Sequence, residues 1–259
     1  MERGWVKCAV SGHECPNATG KETPARCCLA PELPSKTHRS LAILADDVSG
    51  CRRCPHGSTR KQSVLAKGDP LSTLAFLGEA PGADEDEQGL PFVGSAGQLL
   101  DKQIDAMRRY AEAEHGITFP SDPYVCNVVK CRPSDNKLLK DENDVRTCAD
   151  AWLWQQLRLL PKLRVVVALG RVAAQTLTAS KLSIGALRDS SNLAVRQMGV
   201  GVAGLMLDLK KLDKPEIKVI PTYHPSYLLR QPNRKDLRLA VWSDLKLAVE
   251  VSLRNVSLR

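Results

Sequence analysis

Five glycines and two prolines fall within residues 78–98, GEAPGADEDEQGLPFVGSAGQ. That density excludes a regular helix or strand and demands a loop held in special backbone conformations. An apolar run, Leu74–Leu77, precedes it and is patterned as a buried strand; an amphipathic segment, Leu99–Tyr110, follows it and is patterned as a helix. A strand feeding a helix through such a loop is the unit of an open α/β sheet, whose ligands bind beyond the carboxyl ends of the strands. The loop carries one aromatic, Phe92, and five carboxylates, Glu79, Asp84, Glu85, Asp86 and Glu87. It reads either as a ligand-binding loop or as a plain crossover with a solvated acidic tip.

The same alternation continues along the chain. Apolar runs at Tyr124–Val129 and Val165–Leu169 interleave with helical patterns at Glu142–Leu159 and Arg171–Thr178. A short strand, Lys218–Ile220, and an amphipathic helix near Arg234–Leu253 close the chain. This order predicts a three-layer α/β/α sandwich around a central, mainly parallel four-stranded sheet. Residues 1–45 are rich in Pro, Ser, Thr, Cys and charge and lack periodicity, so they read as an irregular extension ahead of one domain over 46–259. Residues 188–216 have mixed character between two core elements and read as a surface insertion.

A chain of 259 residues can bury a substantial core, and its net charge of +8 favours an anionic partner. No apolar run reaches the roughly 18 residues of a membrane span, and the N-terminus lacks the apolar centre of a signal peptide. A cytoplasmic setting is therefore expected. Nine cysteines in such a chain point to metal ligands and free thiols rather than a disulfide framework. Cys51 and Cys54 form a C-x2-C pair, and Cys131 and Cys148 a second pair with sixteen residues between them. Four thiolates suit either zinc or an iron–sulfur cluster, while Cys148, on the apolar face of its helix, reads equally as an ordinary buried thiol. Cys126 falls inside a predicted strand and reads as core. Cys8, Cys15, Cys27 and Cys28 with His13 match no established ligand spacing.

The loop has a specific likeness. Gly78-Glu79-Ala80-Pro81-Gly82, Glu85-Asp86, Gly89-Leu90-Pro91-Phe92-Val93-Gly94 and Ala96-Gly97-Gln98-Leu99-Leu100 resemble the first active-site motif of the family 4, iron–sulfur uracil-DNA glycosylases. Tyr223-His224-Pro225-Ser226-Tyr227-Leu228-Leu229-Arg230 resembles the superfamily's His-Pro-Ser loop, and Asn127 precedes a Val-Val-Lys-Cys-Arg-Pro string like the family's. The resemblance spans roughly residues 45–250 and omits the first 40 and the 188–216 stretch.

The resemblance implies a monofunctional DNA repair enzyme of base excision, a hydrolase of the uracil N-glycosidic bond that leaves an abasic site. It implies a 4Fe-4S cluster on Cys51, Cys54, Cys131 and Cys148. It assigns the uracil pocket to Gly78, Ala80, Phe92, Asn127 and His224, with Phe92 stacking on the flipped base and Asn127 pairing with its edge. Glu79 and His224 become the catalytic pair, the first near the sugar, the second donating to uracil O2. Ser95, Ser226 and Arg230 would meet phosphates, and Leu228 takes the place of the family's wedge. Partners would be uracil-containing DNA, single- or double-stranded, met by a monomer at the nucleoid. Gly82 stands where family 1 enzymes carry a tyrosine against the thymine methyl, so thymine exclusion would arise elsewhere.

Two other readings remain. One is a superfamily member acting on other deaminated bases or binding uracil-DNA covalently; the covalent relatives carry a Lys-Arg-Arg-Ile-His insert and a Gln in the first loop, and this chain has Ala80 and CRPSDNKLLKDEND instead. The other is a non-catalytic Fe–S nucleic-acid-binding protein, which would be expected to lose His224, Asn127 or Phe92.

Overall fold

A computed structural model describes residues 6–7, 14–15, 36–118, 121–134, 142–189 and 217–253. Cys8, Cys27, Cys28, His13 and nearly all of the expected 188–216 insertion lie outside the described residues. Near the N-terminus, β1 (Val6–Lys7) and β2 (Glu14–Cys15) pair antiparallel.

The central sheet follows from runs of β-branched and apolar residues long enough to be buried on both faces. Its strands are β3 (Ala66–Lys67), β4 (Leu74–Gly78), β5 (Tyr124–Asn127), β6 (Val165–Leu169) and β7 (Lys218–Thr222). They lie in the order β3-β5-β4-β6-β7; all pairings are parallel except β3 with β5. The sheet thus has one strand more than expected. Strand β3 is two residues long, too short to leave a period in the sequence, and it caps the edge at Ala66↔Cys126 and Lys67↔Val125. At the other edge, β7 carries Pro221 inside the strand, where a missing N–H is tolerated.

Alternate strand residues serve opposite layers, as a period of two requires. Ala75, Leu77, Val166, Ala168 and Val219 join one apolar cluster; Leu74, Phe76, Val165, Val167 and Ile220 join the other. The first cluster is covered by α1 (Lys36–Ser49), by α5 (Glu142–Cys148) running through a π-helical turn (Ala149–Leu153) into α6 (Trp154–Arg158), and by α7 (Arg171–Thr178). The second is covered by α4 (Ser95–His115) and the last helix (Lys235–Leu253). The three-layer sandwich is as expected. Helix α1 differs from expectation: it begins at Lys36, inside the stretch read as irregular, and buries Leu41, Ala42, Leu44 and Val48 in the core. Its apolar run Leu41–Ala45, with Val48 one turn on, is the local signal that the irregular reading passed over. No helix among the described residues is long and apolar enough to cross a membrane.

Strand β4 connects leftward to β5 and β6 connects rightward to β7, so the carboxyl ends of β4 and β6 flank a topological switch point. Gly78, Asn127, Gly170 and His224 all sit at or just past strand ends on that rim.

Candidate active site

The rim is assembled from loops whose backbone admits little substitution. At Gly78, the last residue of β4, a Cβ would lie 2.5 Å from Phe92 Cζ and would overlap Asn127 Oδ1. Absence of a side chain there lets the Phe92 ring and the Asn127 amide converge. Gly97 is equally constrained, since a Cβ would strike the Phe92 carbonyl.

Phe92 itself has φ 54°, a left-handed conformation uncommon for a residue with a Cβ. The surroundings hold it there. Its carbonyl accepts from Lys67 Nζ at 2.9 Å. The next two N–H groups, of Val93 and Gly94, both donate to Glu85 Oε1 at 2.9 Å, and Gly82 N–H donates to Glu85 Oε2 at 3.0 Å. Asp86, 2 % exposed, accepts from the Lys61 and Gln62 N–H groups. The acidic stretch is therefore not a solvated tip: a short helix α3 (Ala83–Gln88) presents Glu85 and Asp86 to backbone donors. Sequence reasoning gave these two carboxylates no role. The spacing of Glu85 three residues beyond Gly82, as in a capping box, was the available signal.

Asn127 ends β5 and is 2 % exposed. Val128 N–H donates to Gly78 O and Val129 N–H to Glu79 O, both at 2.9 Å, so the β4–β5 ladder continues past the strand ends and fixes the amide beside Gly78. Its Oδ1 is buried without a hydrogen-bond partner among the described residues. An orphan acceptor of this kind costs about 1–3 kcal/mol. Glu79 and Ala80 follow β4 half-buried, Ala80 against the α1/α5 side of the core.

His224 caps the helix α8 (Pro225–Arg230), with Pro225 in its first position. Its Nδ1 accepts from Ser226 N–H at 3.1 Å and lies 2.9 Å from Ser226 Oγ. With Nδ1 an acceptor, a neutral imidazole carries its proton on Nε2. Burial pushes the His224 pKa down to about 4; the Arg230 cation adds to this and the Glu85 carboxylate opposes it. The ring lies stacked on Phe92, centroids 5.8 Å apart at 29°. Behind it, Gly170 (φ 86°) would bring a Cβ within 3.1 Å of His224 Cβ.

Two side chains on this loop stand differently from the expectation. Leu228 is 2 % exposed and belongs to the apolar cluster that also holds Leu100 and Leu237. Helix α8 turns it inward, and Leu229, 44 % exposed, is the outward leucine. Ser226, expected on a phosphate, has its hydroxyl on His224. Ser95 opens α4 exposed, and Arg230 ends α8 exposed. Arg234 is engaged bidentately by Asp236 at 2.7 and 2.8 Å.

A second site lies below the rim. Cys51 and Cys54 follow α1, Cys131 follows β5 and Cys148 ends α5; all four line one cavity together with Arg53, Arg60, Lys130 and Trp152. All are free thiols. Arg60 Nη1 donates to Cys131 Sγ at 2.8 Å, and Trp152 Nε1 to Cys51 Sγ at 3.3 Å. The π-helical turn starts directly after Cys148 and carries Trp152, a placement such turns often have at functional sites. Burial raises the thiols of Cys54 and Cys131, and that of Cys148 to about 11. No group of three His, Cys, Asp or Glu side chains among the described residues closes on a single metal ion; the thiols border a shared space. Cys126 is buried in β5, as expected of a core residue.

The uracil DNA glycosylase superfamily matches residues 65–246. A type-4 uracil-DNA glycosylase of Thermotoga maritima is 34 % identical over 209 residues, covering 80 % of this chain and 92 % of the relative. One of Archaeoglobus fulgidus is 33 % identical over 197 residues, 76 % and 87 %. One of Sulfurisphaera tokodaii is 31 % identical over 215 residues, 83 % and 86 %.

Proposed function

We propose that this chain, which belongs to the uracil DNA glycosylase superfamily and to its type-4 branch, excises uracil from DNA by hydrolysing the C1′–N1 bond. The observation that carries the reading is the orphaned Oδ1 of buried Asn127, set beside Gly78 and the ring of Phe92. A uracil there supplies N3–H to Oδ1 and takes a hydrogen bond from the amide NH2 at O4. Cytosine presents an acceptor at N3 and a donor at C4, which inverts both contacts. Phe92 supplies the ring face for a base taken out of the stack.

Bond cleavage sends the glycosidic electron pair into the base and leaves positive charge on the sugar. A neutral His224 with its proton on Nε2 donates to O2 as the uracil anion forms, and Ser226 holds the tautomer from behind. Glu79 stands at the end of β4, where its carboxylate favours the sugar cation and the attacking water. The water adds to C1′ and its proton passes by way of solvent to the departing uracil anion; the products are free uracil and an abasic site. Leu229, rather than Leu228, is the apolar side chain offered to the gap in the stack, and Ser95 and Arg230 are the phosphate-facing candidates.

The cysteine cavity suits a 4Fe-4S cluster held by Cys51, Cys54, Cys131 and Cys148. Its lining has four thiols, three cationic side chains and no carboxylate, a donor and charge set for an anionic thiolate-ligated centre. Its contribution would be structural, tying the segment after α1 to the one after β5. The setting that follows is a monomer acting on uracil-containing DNA at the nucleoid. The test is incubation of purified protein with uracil-containing and undamaged oligonucleotides, followed by scoring of abasic sites. Abasic sites at uracil, lost in Asn127→Ala, are expected; wild-type excision by that variant would remove Asn127 from the pocket.

A further inference from the structure

The left-handed backbone of Phe92 persists only if its surroundings over-determine it. One peptide unit, between Phe92 and Val93, is held at both ends. Its carbonyl accepts from Lys67 Nζ at 2.9 Å, and its N–H donates to Glu85 Oε1 at 2.9 Å. Glu85 belongs to α3, within the loop's own stretch of chain. Lys67 does not. It lies 25 residues before Phe92, on the two-residue edge strand β3, where it pairs with Val125 of β5.

The Lys67 side chain is 23 % exposed, and its Nζ has a second, longer contact with Asp101 Oδ1 on α4, at 3.5 Å. Its shorter contact is thus to a backbone carbonyl and not to the carboxylate. A hydrogen bond from a charged donor is roughly twice as strong as one between neutral groups. The carbonyl it holds lies close over Gly97, where a Cβ would strike it. The ring borne by this backbone abuts Gly78, where a Cβ would lie 2.5 Å from Phe92 Cζ, and stacks on His224. A shift of the peptide is therefore felt where the base is proposed to sit.

We propose that Lys67 is a positioning residue for base binding: by pinning the peptide after Phe92 it fixes the ring face against the flipped uracil, while touching neither base nor phosphate. The edge strand β3 thereby serves the pocket as well as closing the sheet. The inference rests on the functional reading above, since it takes Phe92 as the stacking ring.

The test compares three variants of the full chain. Lys67→Met removes the donor and keeps an apolar stem; Lys67→Arg keeps a cationic donor; Asp101→Asn removes the ion-pair partner alone. The readings are inhibition of excision by free uracil, single-turnover excision, affinity for DNA carrying an abasic site, and amide hydrogen exchange at Val93 and Gly94. In Lys67→Met, inhibition by uracil should weaken and excision slow by about tenfold or more, the order expected for one hydrogen bond from a charged donor. Exchange at Val93 and Gly94 should quicken, because the peptide has lost its opposite anchor. Affinity for abasic DNA should not change. Lys67→Arg should recover toward wild type, and Asp101→Asn should match it. Equal losses of uracil and abasic-DNA affinity in Lys67→Met would make Lys67 a phosphate contact and overturn the inference. So would an Asp101→Asn defect as large as that of Lys67→Met, which would give the role to the ion pair. If Lys67→Met does not accumulate as folded protein, Lys67→Gln, one bond short of the carbonyl, is judged by the same readings. Wild-type protein that excises no uracil would sink the functional reading alone; hydrogen exchange would still decide the clamp, and unchanged exchange in Lys67→Met would overturn it.

Discussion

The side chains of Phe92, Asn127 and His224 are themselves uncharged: an aromatic ring, an amide and an imidazole whose pKa is held down to about 4. Around Cys51, Cys54, Cys131 and Cys148 the lining carries four thiols and three cations and no carboxylate. On the proposed reading the first region sets uncharged donors and acceptors beside one carboxylate, Glu79, and its construction depends on backbone geometry: glycines at 78, 97 and 170, a left-handed Phe92 and a helix-capping histidine. The second works by charge balance, so its construction depends on which long side chains reach the cavity. Substitutions should therefore separate the two.

The largest separation is expected at His224. His224→Ala should lower single-turnover excision by about 10²–10³-fold, the usual loss of one donor to a developing anion. Its metal content and absorbance should match wild type; a colourless His224→Ala protein would break the division. The pH profile sharpens the same point. Folding lowers the His224 pKa from 6.5 to about 4, so protonation favours the unfolded chain. The stability this gives is complete above 6.5 and lost as pH falls toward 4. Excision measured in single turnover should stay flat below neutrality and fail only as the pH nears 4. A decline centred at 6.5 would mean that the ring is solvated in the working enzyme.

Next comes Asn127. Asn127→Asp keeps the shape and replaces the NH2 donor with an acceptor, and a base-edge hydrogen bond is worth about 1–3 kcal/mol of discrimination. Excision should drop about tenfold or more, read as abasic sites per single turnover. Gly78→Ala tests the geometry: its Cβ would collide with both Asn127 and Phe92, and overpacking costs about 1–3 kcal/mol. Thermal unfolding and excision should both suffer, while metal release stays at the wild-type rate. The smallest effect is expected at the exposed cations after α8, Arg234 and Lys235. Lys235→Ala should leave excision at saturating DNA unchanged and reduce the salt slope of binding by about 1. Arg234, already paired with Asp236, should matter less than Lys235.

The cysteine assignment has its own decisive measurement. Purified protein should be brown, with broad absorption near about 400 nm. Stoichiometric zinc in colourless protein would replace iron without dissolving the four-thiol site.

Elements whose residues repeat a simple period were legible in the chain. The runs at 74–77 and 165–169 became strands, and 171–178 became a helix, because a continuous apolar run or a helical stripe has few ways to be buried. The loops were legible as loops through their glycines. Their internal bonding was not. Apart from its capping-box spacing after Gly82, nothing local distinguishes Glu85, which holds three backbone N–H groups, from Glu87, whose ion pair with Lys61 is exposed. The orientation of α8 decided that Leu228 turns in and Leu229 out, and adjacent leucines carry no signal for that choice.

What the sequence determined by itself is thus the alternation of strands and helices, the position of the glycine-rich loops at strand ends, and the residue types able to do the chemistry. These are properties of periodicity and of backbone conformations that only certain residues adopt. The tertiary structure decided which side chains meet. It added the two-residue β3, buried α1, gave Ser226 to His224, and set Lys67 on the Phe92 carbonyl. Such contacts join residues far apart in the chain through packing, and a side chain's burial and partners are set by its neighbours in space rather than in sequence.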